Sequence, residues 1–161
     1  MIAFAEPAHP PSRRAPLMWA VSASMAWIVP IAAQVVWLVV APRPGWAHLL
    51  VAVVTAVLLV AHVFVVPLWR YRVHRWEISP QAVFTRSGWL VQQRRIAPIS
   101  RVQTVDTYRG PLDRLFGVAN VTVTTASSAG AVHIVALDAA VADGVVEQLT
   151  DIAALGAEDA T

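Results

Sequence analysis

The stretch Arg101–Gly117, RVQTVDTYRGPLDRLFG, gathers three arginines and two aspartates around an apolar run and closes on glycine. Arginine and aspartate at this density can build an active site, hold a phosphate through charge-assisted hydrogen bonds, or tie the corner of a fold together. For catalysis the rest of the chain supplies no partners. It has no Gly-x-Ser-x-Gly elbow, no glycine-rich phosphate loop followed by lysine, and no His-Glu-x-x-His pair. His74 and His133 have no acid or histidine at ligand spacing, the four glutamates are scattered, and cysteine is absent. Thiolate-metal and cysteine-nucleophile chemistry are thereby excluded, and the glutamates give no basis for a carboxylate pair. Neither an enzyme nor a cofactor, metal or small-molecule substrate is expected. Asn120-Val-Thr122 spells a glycosylation sequon, but within an expected strand, where chance accounts for it.

A structural corner explains the stretch better. Gly110-Pro111 breaks a strand, and PLDRLF makes one helical turn that directs Leu112, Leu115 and Phe116 inward. Gly117 then reverses the chain at positive φ. Asp113 falls in the first turn, where negative charge is favoured. Arg101, Asp106, Arg109 and Arg114 are expected to tie the turn to neighbouring strands.

The elements that must position this corner follow from composition. Of 161 residues, 57% are hydrophobic and 14% charged, against about 25% charged in ordinary globular domains. The imbalance is local: between Leu17 and Trp69 the one charged side chain is Arg43. Residues 17–41 and 46–69 are each long enough to cross a hydrocarbon core of about 30 Å. Only the helix-breaking Pro42–Gly45 separates them, so they form a two-helix transmembrane hairpin over 17–69. A cleaved signal peptide is excluded by the length of the first span and by the second that follows at once. Residues 1–16 are expected to be a disordered arm.

Arginine distribution orients the hairpin. Arg13, Arg14, Arg70, Arg72 and Arg75 flank its open end and Arg43 alone marks the loop, which places both termini in the cytoplasm. Within the lipid, Pro30 is expected to loosen a helical turn, and Gln34 calls for a hydrogen-bonding partner helix. His48 and His62 read as interfacial or packed residues, too isolated to relay protons. Residues 1–76 hold six arginines and one acid, whereas 77–161 hold six arginines and nine acids, which argues against a nucleic-acid partner.

Beyond the hairpin the pattern alternates. Strands are expected at 70–78, 82–88, 89–97, 99–108, 119–127 and 131–137, with turns at Ser79–Gln81 and Ser127–Gly130. Val141, Val145, Leu149 and Ile152 then recur at helical spacing behind Asp138 as N-cap, with Gly156 as the stop. This is a bent antiparallel β sandwich or barrel over residues 70–155, capped by a C-terminal helix, with a frayed tail at 156–161.

Residues 94–130, RRIAPISRVQTVDTYRGPLDRLFGVANVTVTTASSAG, resemble the signature of the bacterial pleckstrin-homology (PH) domain of YdbS-like membrane proteins. The matching positions are Ile96, Ile99, Val102, Gln103 and Val105, then Gly110, Leu112, Arg114 and Gly117, then Val121, Val123, Thr125 and Ala126. The resemblance spans about residues 15–155. It implies a PH-like fold behind a membrane hairpin in a bacterial inner membrane. It also implies a companion, another membrane protein with several such domains; a homo-oligomer is the equally open alternative. The expected role is a non-catalytic scaffold or accessory subunit, with contacts through an open sheet edge and through the hairpin. The alternative is a membrane-surface module that grips anionic lipid headgroups through Arg70, Arg72, Arg75, Arg94 and Arg95. Against inositol phosphates in particular, the first hairpin loop, Ile78–Val83, carries no basic residue.

Overall fold

The computed structural model describes residues 7–43, 45–88, 91–126 and 130–158. Pro44, Trp89–Leu90, most of the turn expected at 127–130, and the ends 1–6 and 159–161 lie outside the described residues. The chain divides into two compact units, Pro16–Trp69 on one side and Arg70–Thr161 with Met1–Ala15 on the other.

The first unit is the helical hairpin. Helices α1 (Ala15–Ala26) and α2 (Ile28–Val40) form one apolar run of 26 residues. Helix α3 (Gly45–Val60), a π-helical turn (Ala61–Val65) and α4 (Val66–Val73) form a second of 29. At about 1.5 Å per residue both are long enough to cross a bilayer. The break at Trp27 has a local cause. Pro30 has no amide to donate to the carbonyl of Ala26 and its ring crowds that turn, so α2 restarts at Ile28. Opposite it, the π turn carries His62, whose Nδ1 accepts the Trp27 indole N–H at 3.1 Å. Gln34 donates its amide to the Thr55 hydroxyl. The partner that Gln34 requires is therefore the second span of its own hairpin, and His62 is not isolated. His48 donates from Nε2 to the Ala41 carbonyl at 2.6 Å and packs its ring on Trp37.

The second unit holds two three-stranded antiparallel sheets. One has the order β1 (Arg75–Ile78), β2 (Ala82–Gly88), β3 (Gln92–Pro98). The other has β4 (Val102–Tyr108), β5 (Val118–Thr125), β6 (Val132–Asp138). A 3₁₀ turn (Ile99–Arg101) carries the chain between them, α5 (Pro111–Phe116) joins β4 to β5, and α6 (Ala139–Glu158) follows β6. Strand β5 alternates as its sequence predicts: Val121 and Val123 are buried, while Thr122 and Thr124 are half-buried on the other face. Both sheets and α6 share one core, in which Val83, Val121, Ile134, Val145 and Leu149 meet. The expected fold is the observed one.

Five details differ, the first being that the strand expected at 99–108 begins only at Val102, after the 3₁₀ turn Ile99–Arg101. The first expected strand, 70–78, is helical to Val73, because α4 carries no breaker after Pro67 in its first turn, and pairing begins only at Arg75. The inward stripe of α6 is Ala142, Val145 and Leu149, flanked by Val146 and Ile152, which leaves Val141 exposed. Helix α6 continues through Gly156 to Glu158, since one glycine costs a helix only about 1 kcal/mol. Finally, residues 7–14 of the arm expected to be disordered are held on the second unit. His9 and Trp76 exchange backbone hydrogen bonds at 3.0 and 2.9 Å, and the Trp76 indole donates to the Pro10 carbonyl at 3.2 Å. A proline-rich segment has little backbone freedom to lose, so a few such bonds suffice to hold it.

Candidate functional site

The corner around α5 is organised by one buried carboxylate. Gly110 caps the helix in extended conformation, and Pro111 occupies its first position. Asp113 Oδ2 accepts the Gly110 N–H at 2.8 Å and the Asn120 side-chain amide at 3.0 Å. Asn120 Oδ1 in turn accepts the N–H of Ala136 at 2.9 Å. Ala136 lies in a bulge of β6: between the pairs Ala119–Leu137 and Val121–Ile134, β5 advances two residues and β6 three. Its φ of 53° is one an L-residue adopts at a cost of about 1–2 kcal/mol. Both its backbone groups are used, because its carbonyl accepts the Ser12 N–H at 2.7 Å. The Ser12 hydroxyl donates to Asp138 Oδ1 at 2.6 Å, and Arg14 Nη1 donates to the Phe116 carbonyl at 3.2 Å. Gly117 ends α5 in the left-handed region, at φ 67°. One hydrogen-bonded chain thus joins arm, α5, β5 and β6.

The other residues of the signature fall in different places. Arg109 pairs with Asp143 of α6 at 2.6 Å, so it ties the turn to a helix and not to a strand. Asp106 accepts from Thr104 of its own strand at 3.1 Å. Arg101, Gln103 and Arg114 are exposed, and Leu112 is half-buried against the turn. Leu115 is 75% exposed, contrary to its expected inward direction, because a single helical turn can bury only one side. Tyr108, at the end of β4, is 65% exposed.

The arginines near the end of the second span are brought together by strand register. Arg75 pairs with Arg86, and Arg86 with Arg94, so three guanidinium side chains leave one face of the first sheet in a single cross-strand row. Like charges directly opposite repel. Two of them are turned onto the end of α4. Arg75 donates to the carbonyls of Tyr71 and His74 at 2.9 and 2.8 Å, and Arg86 to that of Val73 at 3.2 Å. A helix C-terminus favours cations there. Arg95 donates to the Ala131 carbonyl at 2.8 Å, whereas Arg72 and Arg94 are exposed and Arg70 is half-buried. Arg86 was missed by the sequence reading, because no local motif marks it and only register places it beside Arg75.

His74 closes the same helix end, its Nδ1 donating to the Arg70 carbonyl at 2.8 Å. Burial holds its imidazole below the ordinary histidine range. The hydrogen bond to Arg70 raises it and the Arg70 charge lowers it further. A depressed folded pKa makes the unfolded chain bind the proton first, so the His74 contribution disfavours folding as pH falls below about 6.5. Denaturation of the full chain in detergent at about pH 7.5 and about pH 5.5 should show an acid-induced loss of stability that is smaller in His74→Gln. An equal loss in both proteins would contradict it.

Among the described residues no group of three or more histidines and acids is placed to hold a metal. A family model described as "Bacterial PH domain" matches residues 25–153. The UPF0699 transmembrane protein YdbS of Bacillus subtilis (strain 168) is 34% identical to this chain over 118 residues, which cover 71% of the chain and 72% of that protein. No solved structure matches.

Proposed function

This chain belongs to the bacterial PH domain family, and from that premise we propose that it is a non-catalytic scaffold or accessory subunit of a complex in the bacterial inner membrane. Two long apolar helices and a relative named as a transmembrane protein support the anchor. The excess of arginine at the open end of the hairpin supports cytoplasmic placement of both termini and of the PH-like unit. The partner is another membrane protein or a second copy of this chain.

One observation carries this reading: β4 is an edge strand of its sheet, exposed Tyr108 ends it, and the α5 turn that follows carries exposed Leu115. An open edge supplies backbone groups for an added strand, and an exposed tyrosine and leucine suit a contact. Affinity purification of the full chain in mild detergent tests it. A partner recovered in fixed ratio with wild type should be lost from Leu115→Glu and Tyr108→Ala, with stability changed by no more than about 0.5 kcal/mol. Undiminished recovery with both variants, or a wild-type protein that is a lone monomer, would reject the assignment.

A further inference from the structure

We propose that the cavity beneath the N-terminal arm binds the phosphodiester headgroup of a membrane phospholipid. The cavity holds about 500 Å³, and its walls include His9, Arg13, Arg14, Tyr71, Trp76 and Asp138. That volume falls within the range of about 300–1,000 Å³ usual for small-ligand sites. Two guanidinium groups and an imidazole supply donors for phosphate oxygens. Tyr71 and Trp76 supply the amphipathic rings that suit the boundary between lipid and water.

Position and rigidity point the same way. Arg13 and Arg14 directly precede Ala15, where the first apolar helix begins, and Tyr71 is two residues before Val73, where the second ends. The chain therefore enters and leaves its apolar segments at the walls of this cavity, where headgroup phosphates lie. The arm is fixed beforehand by the His9–Trp76 bridge, by the Trp76–Pro10 bond and by Ser12, so little ordering is left for binding to impose. Arg14 also holds the Phe116 carbonyl, while Arg13 is exposed.

Asp138 selects among phosphates. Its Oδ1 accepts the Ser12 hydroxyl, which leaves a carboxylate fixed on the wall. Such a neighbour opposes an anion in proportion to its charge, so it penalises free phosphate, partly dianionic at neutral pH, more than a singly charged phosphodiester. The lipid is thus favoured over the free ion. This site is separate from the Tyr108–Leu115 surface, and either can fail without the other.

Thermal unfolding of the full chain in mild detergent tests the proposal, with dihexanoyl phosphatidylglycerol, dihexanoylglycerol and inorganic phosphate as probes. The phospholipid should raise the melting temperature saturably, and the other two should raise it far less. Arg13→Gln should remove the rise, Arg13→Lys should restore part of it, and Arg94→Gln should leave it intact. An unchanged rise in Arg13→Gln, an equal rise with dihexanoylglycerol or with phosphate, or loss of the rise in Arg94→Gln would each overturn it.

Discussion

Leu149→Ala is expected to destabilise the PH-like unit by about 2–5 kcal/mol. Leu149 is 1% exposed and stands where α6 meets residues of both sheets, Val83 from one and Val121 and Ile134 from the other. Truncation removes transfer free energy and opens a cavity that two sheets pinned by their own ladders cannot collapse to fill. Val141→Ala on the same helix is the control. Its side chain is 43% exposed, and its loss should change stability by no more than about 0.5 kcal/mol. Denaturant titration of the full chain in detergent, followed by near-ultraviolet circular dichroism, compares the two. Equal midpoints for both variants would show that α6 does not close the core.

Asp113→Ala comes next, with an expected cost of about 2–4 kcal/mol. The substitution strands two donors at once, the Gly110 N–H and the Asn120 amide, in a place where Asp113 is 8% exposed and water has little access. Loss of the anchor at Asn120 also loosens the bond that holds Ala136 in its left-handed conformation. Asp113→Asn keeps an oxygen able to accept both donors and should cost clearly less. Asn120→Ala should resemble Asp113→Ala, and the double variant should cost less than the two single losses added, because the residues act through one bond. Strict additivity in that cycle would refute a shared network.

The hairpin, the capping helix and most strands were legible in the sequence, because burial dictates periodicity and periodicity is local. An uncharged run long enough to span lipid admits one structure, since lipid cannot solvate an open backbone. Alternation along β5 and the stop signals Gly110, Pro111 and Gly117 fix a strand and a corner with no knowledge of the remainder. The density of arginine and aspartate that first suggests chemistry was equally local, and one member of it, Asp113, does organise the corner.

What depended on the tertiary structure is whatever needs residues far apart in sequence. Nothing near Arg75 announces that Arg86 and Arg94 will share its row; antiparallel register decides it. Nothing near Gln34 names Thr55, and nothing near Trp27 names His62, until the second span folds back along the first. The arm is the plainest case. Residues 7–14 have too few apolar groups to order themselves, so composition alone predicts disorder. They become a wall of the candidate headgroup cavity because β1 offers Trp76, the bulge of β6 offers the Ala136 carbonyl, and the end of β6 offers Asp138. Local sequence sets which groups each segment presents. Their long-range hydrogen-bond partners were set by the way the sheets came together.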